Sequence, residues 1–166
     1  MSRSVALSWM VPSGVAAGAA RVLFARALRG FGDGYVSVLL PAYLLALGLG
    51  ELDIGIVGTV ALFGSAIATL SLGAFGNRVR EHRLLAAAAF LMILTGIGFA
   101  GLSSFWPLLV VAFFGTLNPS AGDVSVFLPL EHARLAASST GDARTSLFAR
   151  YSLAGSLAGA LGALAA

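Results

Sequence analysis

Five apolar stretches, each about as long as a bilayer is thick, follow one another along this chain. They are Phe31–Leu49, Ile54–Phe75, Leu84–Leu102, Trp106–Leu130 and Leu147–Ala166. A helix rising about 1.5 Å per residue needs about 20 residues to cross about 30 Å of hydrocarbon. A soluble core has no use for five such runs in a row. The sequence therefore predicts an all-α, polytopic transmembrane helical bundle over residues 31–166, preceded by a cytoplasmic N-terminal tail over 1–30.

The charges fit that order. Hydrophobic residues make up 58% of the chain and charged residues 10%, against about 25% charged in an ordinary globular domain. A net charge of +3 would suggest nucleic acid in a soluble protein, but the cations form no single patch. Arg3, Arg21, Arg26 and Arg29 precede the first stretch; Arg78, Arg80 and Arg83 fill the second gap; Arg134, Arg144 and Arg150 surround the fourth. The first and third gaps, Gly50–Asp53 and Ser103–Phe105, contain none. Positive loops stay cytoplasmic, so the N-terminus is expected inside and the fifth stretch is expected to end outside. The chain has no cysteine, which removes disulfide and thiol chemistry.

Arg3 followed by Val5–Ala20 superficially resembles a signal peptide. Cleavage there would place Arg21, Arg26 and Arg29 outside, and Pro12, Ser13 and Gly14 interrupt the run. A surface-lying cytoplasmic tail keeps the charge pattern. The gaps between stretches are short, which makes antiparallel neighbours. The long one, Glu131–Ser146, reads as a polar cytoplasmic loop, with His132 solvated there and His82 solvated in the second gap, also cytoplasmic. In the fifth stretch Ser152, Gly155, Ser156 and Gly159 share a small-residue face that allows close helix approach, in either a moving or a fixed interface. The chain stops as its fifth stretch ends, the expected look of a truncated piece.

A carboxylate at the centre of a membrane helix costs about 2.5–3.5 kcal/mol on insertion scales, so each one needs a reason. Asp33 stands at the cytoplasmic entrance of the first stretch, one turn after Arg29 and two after Arg26. It either pairs with Arg29 at the interface or lines a cavity. Asp123 follows Asn118-Pro119-Ser120-Ala121-Gly122, where Pro119 removes a backbone donor and kinks the helix. An amide, a hydroxyl and a carboxylate beside such a break make a polar site at depth. Asn118, Ser120 and Asp123 are therefore candidates for a substrate or ion path, the alternative for Asp123 being a structural pair with a neighbouring arginine. Arg150, one turn into the fifth stretch, either snorkels to the interface or pairs with Asp123 or Glu131.

Several residues carry a family likeness. Leu40-Pro41-Ala42-Tyr43-Leu44, then Leu47-Gly48-Leu49 and Ile54-Gly55, precede Gly73-Ala74-Phe75-Gly76-Asn77-Arg78-Val79-Arg80-Glu81-His82-Arg83. This order resembles the first half of a major facilitator superfamily transporter, with its cytoplasmic loop motif G-x-x-x-D-R-x-G-R-[RK]. Gly73 and Arg78 match the motif, and Asn77 stands where the family has Asp. The resemblance implies that Gly73, Asn77 and Arg78 belong to an inner-gate latch, and that the chain is part of a twelve-helix protein. In that family two six-helix halves rock around a central site.

The expected function is secondary active transport of a small solute by alternating access in a bacterial inner membrane, with protons as one candidate for coupling. The missing C-terminal half, or another chain, would complete the fold. The alternative is a non-transporting membrane assembly module or a degenerate fragment. No GxxxxGK[ST] sequence is present to support ATP drive, and no GxSxG or HExxH to support an enzyme. The lipid bilayer is the expected partner, with no nucleic acid, cofactor or metal.

Overall fold

The computed structural model describes residues 18–75, 80–115, 127–139 and 141–166. Among the described residues there is no strand. Six helices follow in order: α1 (Gly18–Ala46), α2 (Glu51–Phe75), α3 (Glu81–Gly101), α4 (Phe105–Phe114), α5 (Phe127–Ala137) and α6 (Asp142–Ala165). The fold is an all-α membrane bundle. Among the described residues, three segments are both long and apolar enough to cross a bilayer: Glu51–Ala74, His82–Gly101 and Ala143–Ala165.

α1 begins at Gly18, thirteen residues before the first apolar stretch, and runs for 29 residues. Its early sequence, Ala19-Ala20-Arg21-Val22-Leu23-Phe24-Ala25-Arg26-Ala27-Leu28-Arg29, is rich in Ala, Leu and Arg, which are strong helix formers. Hydropathy hides that continuity because three arginines dilute it. α1 ends in a Schellman turn: Leu49 N–H donates to the Leu44 carbonyl at 3.2 Å and Gly48 N–H to Leu45 at 2.9 Å. Gly48 takes φ 84°, the left-handed conformation this cap demands. Asp53 then accepts from the Gly50 N–H at 3.0 Å, satisfying a donor at the start of α2.

The chain divides into two compact units. One is Val36–Leu130. Its core is Leu40, Leu44, Val57, Ala61, Phe99, Leu108 and Ala112. Helices here approach through glycine: a Cβ on Gly64 would strike the Phe113 backbone, and one on Gly98 would come within 2.9 Å of Val111. At the end of α3 the Phe99 carbonyl accepts the Tyr43 hydroxyl at 3.0 Å. The last carbonyls of a helix lack intrahelical donors, and lipid supplies none, so Tyr43 does that work from α1.

The other unit combines α1 up to Tyr35 with Glu131–Ala165. Here α1 and α6 run parallel in near-contact of backbones. A Cβ on Gly30 would lie 2.7 Å from the Gly155 carbonyl oxygen, one on Gly34 would overlap the Gly159 carbonyl, and one on Gly162 would overlap that of Phe31. Gly155 and Gly159 thus serve the close approach that their spacing predicts, joined by Gly162, whereas Ser152 and Ser156 point to the exposed side. Glu131–Ser146 is not a loop: α5 continues through Ala137 and α6 starts at Asp142. Gly141, at φ 56°, turns the chain between them.

Candidate functional site

The polar centre of this second unit is built from α1, α5 and α6. On α5, Phe127, Leu130, Glu131 and Leu135 are buried, at the i, i+3, i+4, i+8 spacing of one helical face. That periodicity sets Glu131 inward among apolar neighbours. On α1 the buried face contains Val22, Leu23, Arg26 and Arg29. On α6 it contains Leu147, Tyr151 and Gly155.

Arg29 and Glu131 meet as a planar, two-pronged pair. Arg29 Nη1 donates to Glu131 Oε1 at 2.6 Å and Nη2 to Oε2 at 2.8 Å. The guanidinium fork matches both carboxylate oxygens at once, the strongest geometry open to this pair. Arg29 is 8% exposed and Glu131 4%. The Tyr151 hydroxyl also donates to Glu131 Oε2, so both carboxylate oxygens are engaged. Arg26, 7% exposed, lies over the Tyr151 ring at 5.3 Å, near enough for cation–π attraction. Its guanidinium also fills the space where a Gly155 side chain would be. His132 packs edge-on to Phe148 and Tyr151, with ring centroids 5.0 and 5.2 Å apart.

Electrostatically this is a closed cluster. Arg29 grips Glu131, Arg26 lies over Tyr151, and Asp33, one turn further along α1, adds its negative charge to the field at Arg29. A single ion removed from water would cost several kcal/mol, so each charge here depends on the others. The cluster ties three helices together through one carboxylate.

This arrangement extends one reading of the sequence and corrects another. Arg29 directs its fork to Glu131, 102 residues away, rather than only to Asp33 on its own helix. Glu131 and His132 are packed helical residues, not solvated loop residues. A signal was present: from Phe127 and Leu130 the helical period continues through Glu131 and Leu135, past the end of the fourth apolar stretch, and the charge at Glu131 masks it. Of the expected site residues, Asp33 and Arg150 are half-buried in this unit, Arg150 immediately before Tyr151. Arg150 has interactions of its own, while the described contacts of Glu131 go to Arg29 and Tyr151. Gly73 is exposed near the end of α2, with open space where a Cβ would stand. Asn77, Arg78, Asn118, Ser120 and Asp123 lie outside the described residues.

Comparison with known proteins adds the family context. A family model described as Major Facilitator Superfamily matches residues 22–166. The chain is also similar to an uncharacterized membrane protein of Saccharomyces cerevisiae, at 31% identity over 137 residues. That alignment covers 82% of this chain but 31% of the relative, so the chain spans about a third of the length of that protein. No solved structure matches.

Proposed function

This chain belongs to the Major Facilitator Superfamily, a family of membrane transporters, and on that premise we propose that it forms part of the N-terminal half of a secondary active transporter for a small solute. The observation that carries the reading is the ionic cluster on α1, α5 and α6. Ionisable groups inside a membrane bundle are expensive and mark solute and ion pathways. Alternating access rocks two halves about a central site. The cycle therefore needs a second half, supplied by the rest of a longer protein or by another chain. Arg29, Glu131 and Tyr151 hold the cytoplasmic parts of three helices as one body. Asp33, beside them and half-buried, and Asp123 are the carboxylates proposed for the solute or a coupling proton.

The test is uptake by vesicles containing this chain together with its second half, assayed with a panel of radiolabelled small solutes under an imposed pH gradient. Asp33→Asn and Asp123→Asn are each expected to lower uptake at least tenfold with membrane insertion unchanged. Wild-type uptake in either variant removes that carboxylate from the path. If no solute is moved in any condition, the assembly-module reading takes over.

Orientation has its own check. All ten cations fall on one side of the proposed topology, which supports a cytoplasmic start for α1. A topology reporter fused after Gly50 should read as external and one after Arg80 as cytoplasmic. The reverse pair of readings would overturn the arrangement.

A further inference from the structure

The outer face of α1 opposes its ionic face in both chemistry and exposure. Arg21, Phe24, Leu28 and Phe31 stand at i, i+3, i+7 and i+10, on one side of the helix. Arg21 is exposed, and Phe24 and Leu28 are 66% and 65% exposed, with Phe31 at 41%. The helix thus carries one exposed cation at the head of an exposed apolar stripe.

Length fixes the depth of that cation. A helix of 29 residues is about 43 Å long, close to the about 40–45 Å of a bilayer with its headgroup layers. With Ala46 at one surface, Arg21 in the first turn falls in the opposite headgroup layer. From Arg21 to Phe31 the rise is about 15 Å, half the hydrocarbon thickness. The stripe is therefore one leaflet deep.

The same end of the unit is positive. The parallel α1 and α6, with α5 antiparallel to α6, bring Arg21, Arg134 and Arg144 to one end, all exposed. Asp142, which opens α6, is the one acidic residue there among those described. A guanidinium binds phosphate through paired donors, and basic residues beside a membrane attract anionic lipid.

We propose that Arg21 with the Phe24, Leu28 and Phe31 face seats one anionic phospholipid of the arginine-side leaflet. The phosphate rests on the Arg21 guanidinium, and an acyl chain lies along the three apolar side chains. The inference needs only membrane insertion, so it stands or falls separately from the transport reading.

Native mass spectrometry of the 166-residue chain in mild detergent, with phosphatidylglycerol or phosphatidylcholine added, tests it. One phosphatidylglycerol should be retained in preference to phosphatidylcholine. Arg21→Gln should lower its occupancy at least fivefold, and Phe24→Ala with Leu28→Ala should lower it about as far. Arg144→Gln, which removes another exposed cation, on α6, should leave it within twofold. Unchanged retention in Arg21→Gln overturns the proposal. So does an equal loss in Arg144→Gln, which means diffuse attraction, or full displacement by inorganic phosphate, which means no role for the chain. A Phe24→Cys cross-link to a second copy in lipid-rich vesicles also overturns it, because protein would then cover the stripe.

Discussion

Glu131→Gln is expected to destabilise the protein by about 3–5 kcal/mol, the range for removing one partner of a buried ion pair. The loss comes less from the missing attraction than from what remains. Arg29 and Arg26, both buried, would keep their charges without the carboxylate that Arg29 grips, and the two-pronged contact would be gone. Replacing both partners separates these contributions. Arg29→Leu with Glu131→Leu deletes the uncompensated ion along with its mate, and should recover most of the loss. Thermal unfolding in detergent, followed by helical circular dichroism, reads both variants. A Glu131→Gln protein that melts with the wild type would show that the cluster does not hold the unit together. A double variant no better than the single would assign the stability to geometry rather than charge.

The second large effect is an asymmetry between two glycines that face each other. Gly34→Ala places a methyl group against the Gly159 backbone, with the carbonyl carbon 2.7 Å and the Cα 2.9 Å away. Backbone cannot rotate aside, so α1 and α6 must separate, at about 1–3 kcal/mol for overpacking. Gly159→Ala meets only the Gly30 carbonyl oxygen, at 3.5 Å, which is ordinary contact. A mid-helix glycine is itself about 0.5–1 kcal/mol poorer than alanine. Gly159→Ala should therefore be neutral or stabilising, although it sits in the more obvious sequence motif. The comparison needs only two melting curves, and equal destabilisation by both would refute the packing described here.

The sequence is most legible where lipid acts as the solvent. α2, α3 and α6 follow apolar runs because a membrane helix must be apolar along its whole length and must pair its own backbone. The first helix is longer than its apolar run, since a helix can leave the hydrocarbon without ending. Its boundary is set by Ala, Leu and Arg propensity, to which hydropathy is blind. The ionic cluster is the least legible part. Arg29 and Asp33 are one turn apart and look like a pair, but Arg29 also grips a carboxylate 102 residues away with both prongs of its fork. Nothing local to Glu131 announces that. Small-residue spacing on α6 predicts close packing, yet the partner glycines on α1, Gly30 and Gly34, become meaningful only once the two helices are known to touch.

The shared direction of α1 and α6 has a bookkeeping consequence for sidedness. Two parallel helices that both cross a membrane must be joined by chain that crosses it an odd number of times. Where α1 and α6 both cross the bilayer, Gly18 and Ala165 face different compartments. A protease confined to one side can reach the α1 end or the α6 end of the molecule, never both.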